Sequence, residues 1–481
     1  MAVVLLFLTY GIFLAHKINL VTADLGRHLR NGELLFQNPA VLFRNFYSYT
    51  QPDFPVINHH WGSGLIFWNI FRFGGFPALS LFNLFLSLAT FFIFFKLAKK
   101  ASGVGLATLV SLPLIPLLAE RTEIRPEIFS YFFSGVFFFF LSSQKYLWLL
   151  PLLQVLWVNL HIYFFLGPLL VGIFLVSKKS RQLAYVFLLT TAACLVNPFG
   201  LKGALSPLTI FENYGYRLVE NQPVWFIEKL IRNPNFAIFK INFGILLASF
   251  VLAFWRKKPV SLVNLFLALF FSALAWRAIR NFTIFALFTL PIISDNLQNV
   301  LPKRSEINQA LILISTVLLV FAFPLVAFGL LPSFFPYWHE PGFGLEKENS
   351  AAAEFFKKEK IKGPIFNNYD IGGYLIFHLF PEEKVFVDNR PEAYPKEFFE
   401  KVYIPMQESE EEWKKQEEKY QFNAIFFSRL DATPWGQKFL ISRVKDPSWA
   451  PVFVDRYTII FLKRNQQNSQ IIKTHEIPKE E

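Results

Sequence analysis

The chain has 481 residues, of which 53% are hydrophobic and 18% aromatic, and its formal net charge is +12. This composition is typical of polytopic membrane proteins. The basic charge alone would fit a nucleic-acid partner, but many basic residues flank apolar segments, so we expect none. The single cysteine, Cys194, excludes an internal disulfide and a cysteine-based metal cluster.

Long apolar segments predict membrane helices, since a bilayer core about 30 Å thick needs roughly 20 apolar helical residues. The sequence predicts about 11 spans. They lie near residues 2–20, 77–96, 103–119 and 127–143, in a hairpin within 146–177, and near 183–199, 237–255, 259–276, 280–295 and 309–331. The aromatic segment 61–73 is too short to span and is predicted to lie along the membrane surface. The first apolar stretch lacks the features of a cleavable signal peptide.

Basic residues follow every second predicted span, as at Lys99 and Lys100, Lys178 and Lys179, and Lys257 and Lys258. Because basic loops stay in the cytoplasm, this alternation predicts a multi-pass cell-membrane protein with a cytoplasmic amino terminus. Everything after residue 331 is then extracytoplasmic. The predicted outer loops are 21–76, 120–126, 159–161, 197–236 and 277–281.

The chain is predicted to be an α-helical polytopic membrane protein with a small extracytoplasmic α/β domain. The membrane domain covers 1–335 and includes the outward loop 21–76, the α/β domain covers 340–465, and 466–481 is a disordered tail. Within the α/β domain, the runs PIFNNY, YLIFHLF, KVFVDN, NAIFFS and TIIFLK predict strands, and the charged run EFFEKVYIPMQESEEEWKKQEEKY predicts helices. The glycine pair of YDIGGY predicts a tight turn rather than a nucleotide-binding loop.

The first outer loop, TADLGRHLRNGELLFQNP, places a polar cluster directly after the first span. Asp24, Arg27, His28 and Asn31 share one helical face. Polar groups next to lipid are costly, which favours a functional role. Asp24 can act as a general base or hold a divalent ion, or it can simply cap the helix. Arg27 and Arg30 are equally compatible with anchoring to lipid headgroups.

Other outer loops carry histidine, glutamate and arginine. Arg121 and Arg125 in ERTEIRPE are four residues apart and can clamp one phosphate, or they can form local ion pairs with Glu120 or Glu123. Arg277 and Arg280 lie in a further outer loop. Basic residues on the outer side run against the positive-inside bias, so anionic headgroups or a phosphate-bearing substrate are expected near them.

Besides His28, three histidines lie in the outer loops. His59 and His60 in HHWGSG are adjacent and have no third ligand nearby, so no metal site is expected there. His161 in WVNLHIYFFLG follows a predicted turn between two apolar runs. At that depth it is either a structural hydrogen-bond donor or a catalytic group.

The order of several short motifs resembles a known group. These motifs are D-x-G-R-H-L-R-N-G-E, N-x-Y-S-Y-T, H-H-W-G-S, R-P-E, N-L-H and N-P-F-G, followed by FNNYDIGGYLIFHL and VFVDNRPEAY. Together they resemble GT-C-like bacterial membrane proteins, which are relatives of the protein mannosyltransferase and aminoarabinose transferase class. The resemblance covers nearly the whole chain.

The resemblance implies a glycosyltransferase that moves a sugar from a polyprenyl-phosphate donor to a lipid, glycan or protein acceptor on the outer face. Asp24 would be the catalytic base, and Glu123 or Glu127 the second acidic residue. The substrate- and phosphate-binding residues would be Arg27, His28, His60, Arg121, Arg125, His161 and Arg280. No cofactor is implied; a divalent metal is used by the related oligosaccharyltransferases but is not indicated here. Leu25 follows Asp24, so the paired acidic residues of the mannosyltransferases are absent.

Two other functions fit the sequence. A non-catalytic envelope protein would bind glycan or protein through its C-terminal domain, and a glycolipid transporter would use the same polar cavity. A transporter needs polar groups midway through its spans, and the spans 77–96 and 309–331 carry almost none. The chain also has no P-loop, which argues against ATP-driven transport.

Overall fold

The computed structural model describes residues 1–209, 212–301, 304–328 and 340–478, and these residues are mostly helical. Up to residue 343, the helices in chain order are α1 (Ala2–Leu14), α2 (Leu25–Leu34), α3 (Trp61–Ser102), α4 (Val104–Ser111), α5 (Ile115–Leu118), α6 (Glu127–Ser143), α7 (Leu150–Val158), α8 (Leu166–Lys178), α9 (Arg181–Ala193), α10 (Leu201–Leu205), α11 (Val224–Ile227), α12 (Asn235–Trp255), α13 (Leu262–Arg277), α14 (Phe282–Val300) and α15 (Arg304–Ala327). They are followed by α16 (Ala351–Lys358), α17 (Gly372–Leu379), α18 (Lys396–Phe398), α19 (Pro405–Glu408), α20 (Glu410–Tyr420), α21 (Pro434–Lys445) and α22 (Ser469–His475). The strands are β1 (Ile365–Asn367), β2 (Ala424–Ser428), β3 (Trp449–Val454) and β4 (Thr458–Lys463).

The described residues form two compact units. The helical unit comprises Met1–Lys17, Ala78–Phe211 and Leu218–Phe343, and the α/β unit comprises Ile18–Pro77, Glu212–Arg217 and Gly344–Glu481. The predicted outward loop therefore does not belong with the membrane helices. It packs with the C-terminal residues, because α2 lies against α17.

The helical unit is built from apolar helices around α14. Every residue of α14 from Phe282 to Ser294 is buried, as expected of a helix that is apolar on all sides and surrounded by others. It packs against α4, α12 and α13, and the rings of Phe271 and Phe288 stack with centroids 3.9 Å apart.

Four helical segments among the described residues are long and apolar enough to cross a bilayer: Trp61–Ser102, Val104–Arg121, Asn235–Trp255 and Ile307–Ala327. Shorter apolar helices accompany them at Ala2–Leu14, Glu127–Ser143, Leu147–Val158, Ile162–Lys178 and Leu262–Arg277. The chain is thus a helical membrane protein, whereas the count of about 11 spans stays a prediction. Residues 329–331 of the last predicted span lie outside the described residues.

Helix α3 is divided at two glycines. Gly74 and Gly75 have non-helical dihedral angles, and the φ of Gly75 is +62°, a conformation that glycine adopts without strain. The predicted surface segment 61–73 and the predicted span from 77 are therefore separate helical pieces. The first piece belongs to the α/β unit.

The α/β unit holds a four-stranded sheet in the order β1-β2-β4-β3. β1 and β2 are parallel, with Phe366 opposite Ile425, and the other pairs are antiparallel. All five residues of β2 are buried, which explains its continuous apolar sequence. A turn at residues 369–371 joins β1 to α17, as predicted for YDIGGY, but the two glycines are the first residues of the helix.

Three predictions for the C-terminal part are wrong. YLIFHLF forms α17 rather than a strand, because its first residues pack on α2, where the carbonyl oxygen of Gly373 leaves no room for a Cβ on Gly26. KVFVDN contributes an isolated bridge between Val385 and Ser48 instead of a sheet strand. The predicted disordered tail contains α22, because Ile472 is buried.

Candidate functional site

Asp24 stands at the amino end of α2, but its side chain does not cap the helix. Its Oδ2 atom instead lies 3.3 Å from Nη2 of Arg27 and 3.2 Å from Nε2 of His28. The i, i+3 and i, i+4 spacing brings both side chains to this carboxylate. The His28 side chain is fully buried, whereas that of Asp24 is 23% exposed. Arg27 and His28 therefore hold Oδ2 of Asp24, Oδ1 is buried, and the side chain as a whole keeps partial exposure.

Arg27 connects this carboxylate to a second segment of the α/β unit. Its Nε atom donates to Oδ1 of Asn389, 3.1 Å away. Asn389 belongs to the sequence DNRPE, in which Arg390 pairs with both oxygens of the buried Asp388 at 2.8 and 2.6 Å. Arg390 also donates to Oδ1 of Asn45. This network fixes the position of Asn389.

Glu392 lies in the same electrostatic environment. Burial raises the pKa of its carboxyl group, and the nearby guanidinium groups of Arg27 and Arg390 oppose that effect. Arg27 therefore has a second carboxyl group in its surroundings, from the C-terminal part of the chain. The motif VFVDNRPEAY carries the resemblance, but the sequence did not indicate that Asn389 of this motif contacts Arg27.

His60 of HHWGSG lies near His28, and His59 lies beside His60. The ring centroids of His28 and His60 are 5.6 Å apart, and those of His59 and His60 are 5.1 Å apart. Burial, together with the charge of Arg27, lowers the pKa of His59 to about 4. Of the predicted site residues, Asp24, Arg27, His28 and His60 thus come together in the α/β unit.

The remaining predicted residues form a separate cluster in the helical unit. Arg121 binds both oxygens of Glu127, at 3.0 and 2.8 Å, and donates to Glu220 at 2.6 Å. Arg125 pairs with Glu123 and also donates to Glu220, at 3.1 Å. Arg280 pairs with Glu127 and Glu220 as well. The positive charges of three arginines are therefore balanced by the negative charges of three glutamates.

The ion-pair alternative describes Arg121 and Arg125 better than the phosphate clamp. Burial raises the pKa of Glu220, but the three guanidinium groups outweigh it and lower this pKa to about 2. Glu123 is one of the predicted partners, whereas Glu120 accepts a hydrogen bond from Asn233 at 3.0 Å. An anion would have to displace a glutamate from these arginines.

The ring of His161 is held by hydrogen bonds to neighbouring side chains. Its Nδ1 lies 2.7 Å from Oγ of Ser130, and that hydroxyl oxygen accepts a hydrogen bond from Nε1 of Trp157. The Ser130 hydroxyl therefore donates to Nδ1, which places the ring proton on Nε2. In these contacts Nδ1 of His161 accepts, also from the backbone N–H of Tyr163 at 3.4 Å, whereas the sequence predicted a hydrogen-bond donor or a catalytic group.

Comparisons with solved structures identify the architecture. The structure is similar to archaeal oligosaccharyltransferase AglB from Archaeoglobus fulgidus, solved in complex with an inhibitory peptide and a dolichol-phosphate. The sequence identity is 12% and the TM-score is 0.60. The match covers 97% of this chain and 74% of that one. An Archaeoglobus fulgidus oligosaccharyltransferase tethered with an acceptor peptide containing the NVT sequon gives 11% identity, a TM-score of 0.62 and the same coverage. The chain has a GT-C-type fold. No protein-family model matches it, and no curated protein matches it in sequence.

The same oligosaccharyltransferase has also been solved in complex with Zn and sulfate (11% identity, TM-score 0.57, 96% of this chain and 73% of that one). Among the described residues of our chain, no three histidine, cysteine, aspartate or glutamate side chains are grouped as a metal ion requires. The oxygen Oδ2 of Asp24 is already engaged by Arg27 and His28. These side chains do not fit a metal centre.

Proposed function

We propose that this protein is a membrane glycosyltransferase that moves a sugar from a polyprenyl-phosphate donor to an acceptor hydroxyl on a lipid, glycan or protein. The observation that carries the proposal is the Asp24 carboxylate. It does not cap its helix, it is held by Arg27 and His28, and its side chain keeps 23% exposure. The GT-C-type fold supports it, because the similar oligosaccharyltransferase was solved with a dolichol-phosphate.

In this mechanism Asp24 is the general base. Its carboxylate removes the proton of the acceptor hydroxyl as the oxygen attacks the anomeric carbon of the sugar. The bond between that carbon and the phosphate oxygen breaks, and the polyprenyl phosphate leaves with its electron pair. Arg27 supplies a nearby positive charge for the developing negative charge and, with His28, fixes the orientation of the carboxylate.

The proposed topology places Asp24 on the outer side of the membrane. The basic loops after every second predicted span support a cytoplasmic amino terminus, and the α/β unit is then extracytoplasmic. A lipid-linked donor would present its sugar on that side. The acceptor would approach Asp24 from the aqueous phase.

Measuring lipid-linked sugars in cells tests the proposal directly. Mass spectrometry of lipids and glycans would compare a strain lacking the protein with the same strain complemented by the wild-type chain. We expect one glycan to lose a sugar in the deletion strain while its polyprenyl-linked donor accumulates, and complementation to reverse both changes. Identical lipid-linked sugars and glycans in the two strains would contradict the proposal.

Asn389 is expected to act as a positioning residue. Asn389→Ala removes the acceptor for Nε of Arg27, which in turn holds Asp24. We expect kcat to fall roughly tenfold with little change in KM, because the reacting group loses its orientation and not its chemistry. Steady-state kinetics of the purified protein measures both constants.

Two further variants are needed to interpret the effect of Asn389→Ala on kcat. Asn389→Asp keeps an oxygen for Arg27 and should restore most of kcat. Asn213→Ala is the matched control, because the exposed Asn213 belongs to the same unit and its Oδ1 accepts a hydrogen bond from the backbone N–H of Gly215. Equal losses in Asn389→Ala and Asn213→Ala would mean that Asn389 has no special role.

A further inference from the structure

A cleft of about 400 Å³ opens in the α/β unit between the carboxyl end of α2 and the first piece of α3. Its lining includes Glu33, Phe36, Leu65, Trp68, Asn69 and Arg72. The two helices touch at Gly32, where an added Cβ would lie 2.1 Å from the carbonyl oxygen of Gly64. This volume lies in the range of small-molecule sites.

The cleft lining carries one acidic and one basic side chain, Glu33 and Arg72. Glu33 pairs with Arg30, so its carboxylate is neutralised. Arg72 is exposed, and no carboxylate forms an ion pair with it among the residues that the structure describes. A guanidinium in this position is suited to an anion, and phosphate is the group that its planar fork binds in two-point contact.

Aromatic residues lie in the cleft and next to it in the sequence, since Phe36 and Trp68 line it and Phe73 follows the lining residue Arg72. The Phe36 side chain is 80% exposed and that of Phe73 is 92% exposed, which is unusual for phenylalanine in contact with water. Only residues 74–77 separate Phe73 from the part of α3 in the helical unit, and α3 is apolar enough to cross a bilayer. By chain continuity, Phe73 is close to the membrane surface, where aromatic and basic residues are enriched.

We propose that this cleft binds the headgroup of an anionic phospholipid from the surrounding membrane. The guanidinium of Arg72 contacts the lipid phosphate, and Phe36 and Trp68 contact the adjoining glycerol and acyl carbons. The bound lipid holds the carboxyl end of α2 at the membrane surface. This role does not depend on sugar transfer.

Lipid binding to the full-length protein in detergent tests the inference. Native mass spectrometry would measure the bound fraction during titration with phosphatidylglycerol, phosphatidylcholine or inorganic phosphate. We expect the wild-type chain to prefer phosphatidylglycerol and Arg72→Gln to bind it about fivefold more weakly, the effect of losing one basic residue near an anionic surface. Arg44→Gln is the matched control, because Arg44 belongs to the same unit, is 61% exposed and pairs with Asp53 outside the cleft.

Several results would overturn the inference. Unchanged binding in Arg72→Gln, an equal loss in Arg44→Gln, or equal binding of phosphatidylcholine would each show that Arg72 does not select an anionic headgroup. Competition by inorganic phosphate at equal concentration would identify a free-phosphate site instead, and displacement by a polyprenyl phosphate at far lower concentration would identify a carrier-lipid site. Arg72→Lys, which keeps the charge, should retain most of the binding and so separates loss of charge from misfolding.

Discussion

Asp24→Asn is expected to reduce sugar transfer by about 10²- to 10⁴-fold, the usual contribution of a general base. The asparagine amide has nearly the same shape and can still accept a hydrogen bond from Arg27, but it cannot take a proton from the acceptor. The reduction should therefore appear in kcat, with the free energy of unfolding nearly unchanged. Turnover of a polyprenyl-phosphate-linked sugar by purified protein measures the rate, and thermal unfolding measures the stability.

Asp53→Asn is the matched control for this substitution. Asp53 lies in the same unit, its side chain is 81% exposed, and it pairs only at the surface with Arg44. Its replacement should leave the rate within about twofold of wild type. If Asp24→Asn behaves like Asp53→Asn in a protein that transfers sugar, Asp24 is not the base, although the glycosyltransferase proposal itself survives. Complete inactivity of the wild-type chain with lipid-linked donors would instead count against the proposed function.

Local sequence patterns predict the individual helices of this fold better than they predict which helices and strands pack together. The apolar run 127–143 predicts a helix, and the structure has Glu127–Ser143. YLIFHLF was wrongly predicted as a strand, because a seven-residue apolar run fits either periodicity and its contact with α2 decides the outcome. That contact joins segments about 350 residues apart, so no local pattern indicates that loop 21–76 folds with the C-terminal residues.

In the candidate site, too, local contacts could be predicted from the sequence and long-range contacts could not. Helical spacing predicts that Arg27 and His28 lie on the same face as Asp24, and the structure has both at its carboxylate. Spacing also places Arg121 and Arg125 on one face, but it does not show that Glu220, almost 100 residues later, shares both of them. Asn389 was missed for the same reason, because its contact with Arg27 is set by tertiary structure.

The second large effect is expected in the helical unit, where Glu127→Gln should lower the free energy of unfolding by about 3 kcal/mol. The Glu127 carboxylate is almost completely buried and pairs with both Arg121 and Arg280. A neutral glutamine of the same size leaves these two guanidinium groups buried with less compensating charge, and this imbalance destabilises the folded state. Unfolding in a titration with sodium dodecyl sulfate, followed by circular dichroism, measures the difference.

Glu228→Gln provides the comparison, because Glu228 pairs with Lys240 in the same unit but in a more exposed position. Such a pair contributes at most about 1 kcal/mol. An equally small effect of Glu127→Gln would mean that Arg121 and Arg280 do not need this carboxylate. The three arginines would then be available to an anionic ligand, and the phosphate clamp would again become the better description of this cluster. A large effect confined to Glu127→Gln instead supports a structural role, because arginines compensated by glutamates have little excess charge for a lipid phosphate.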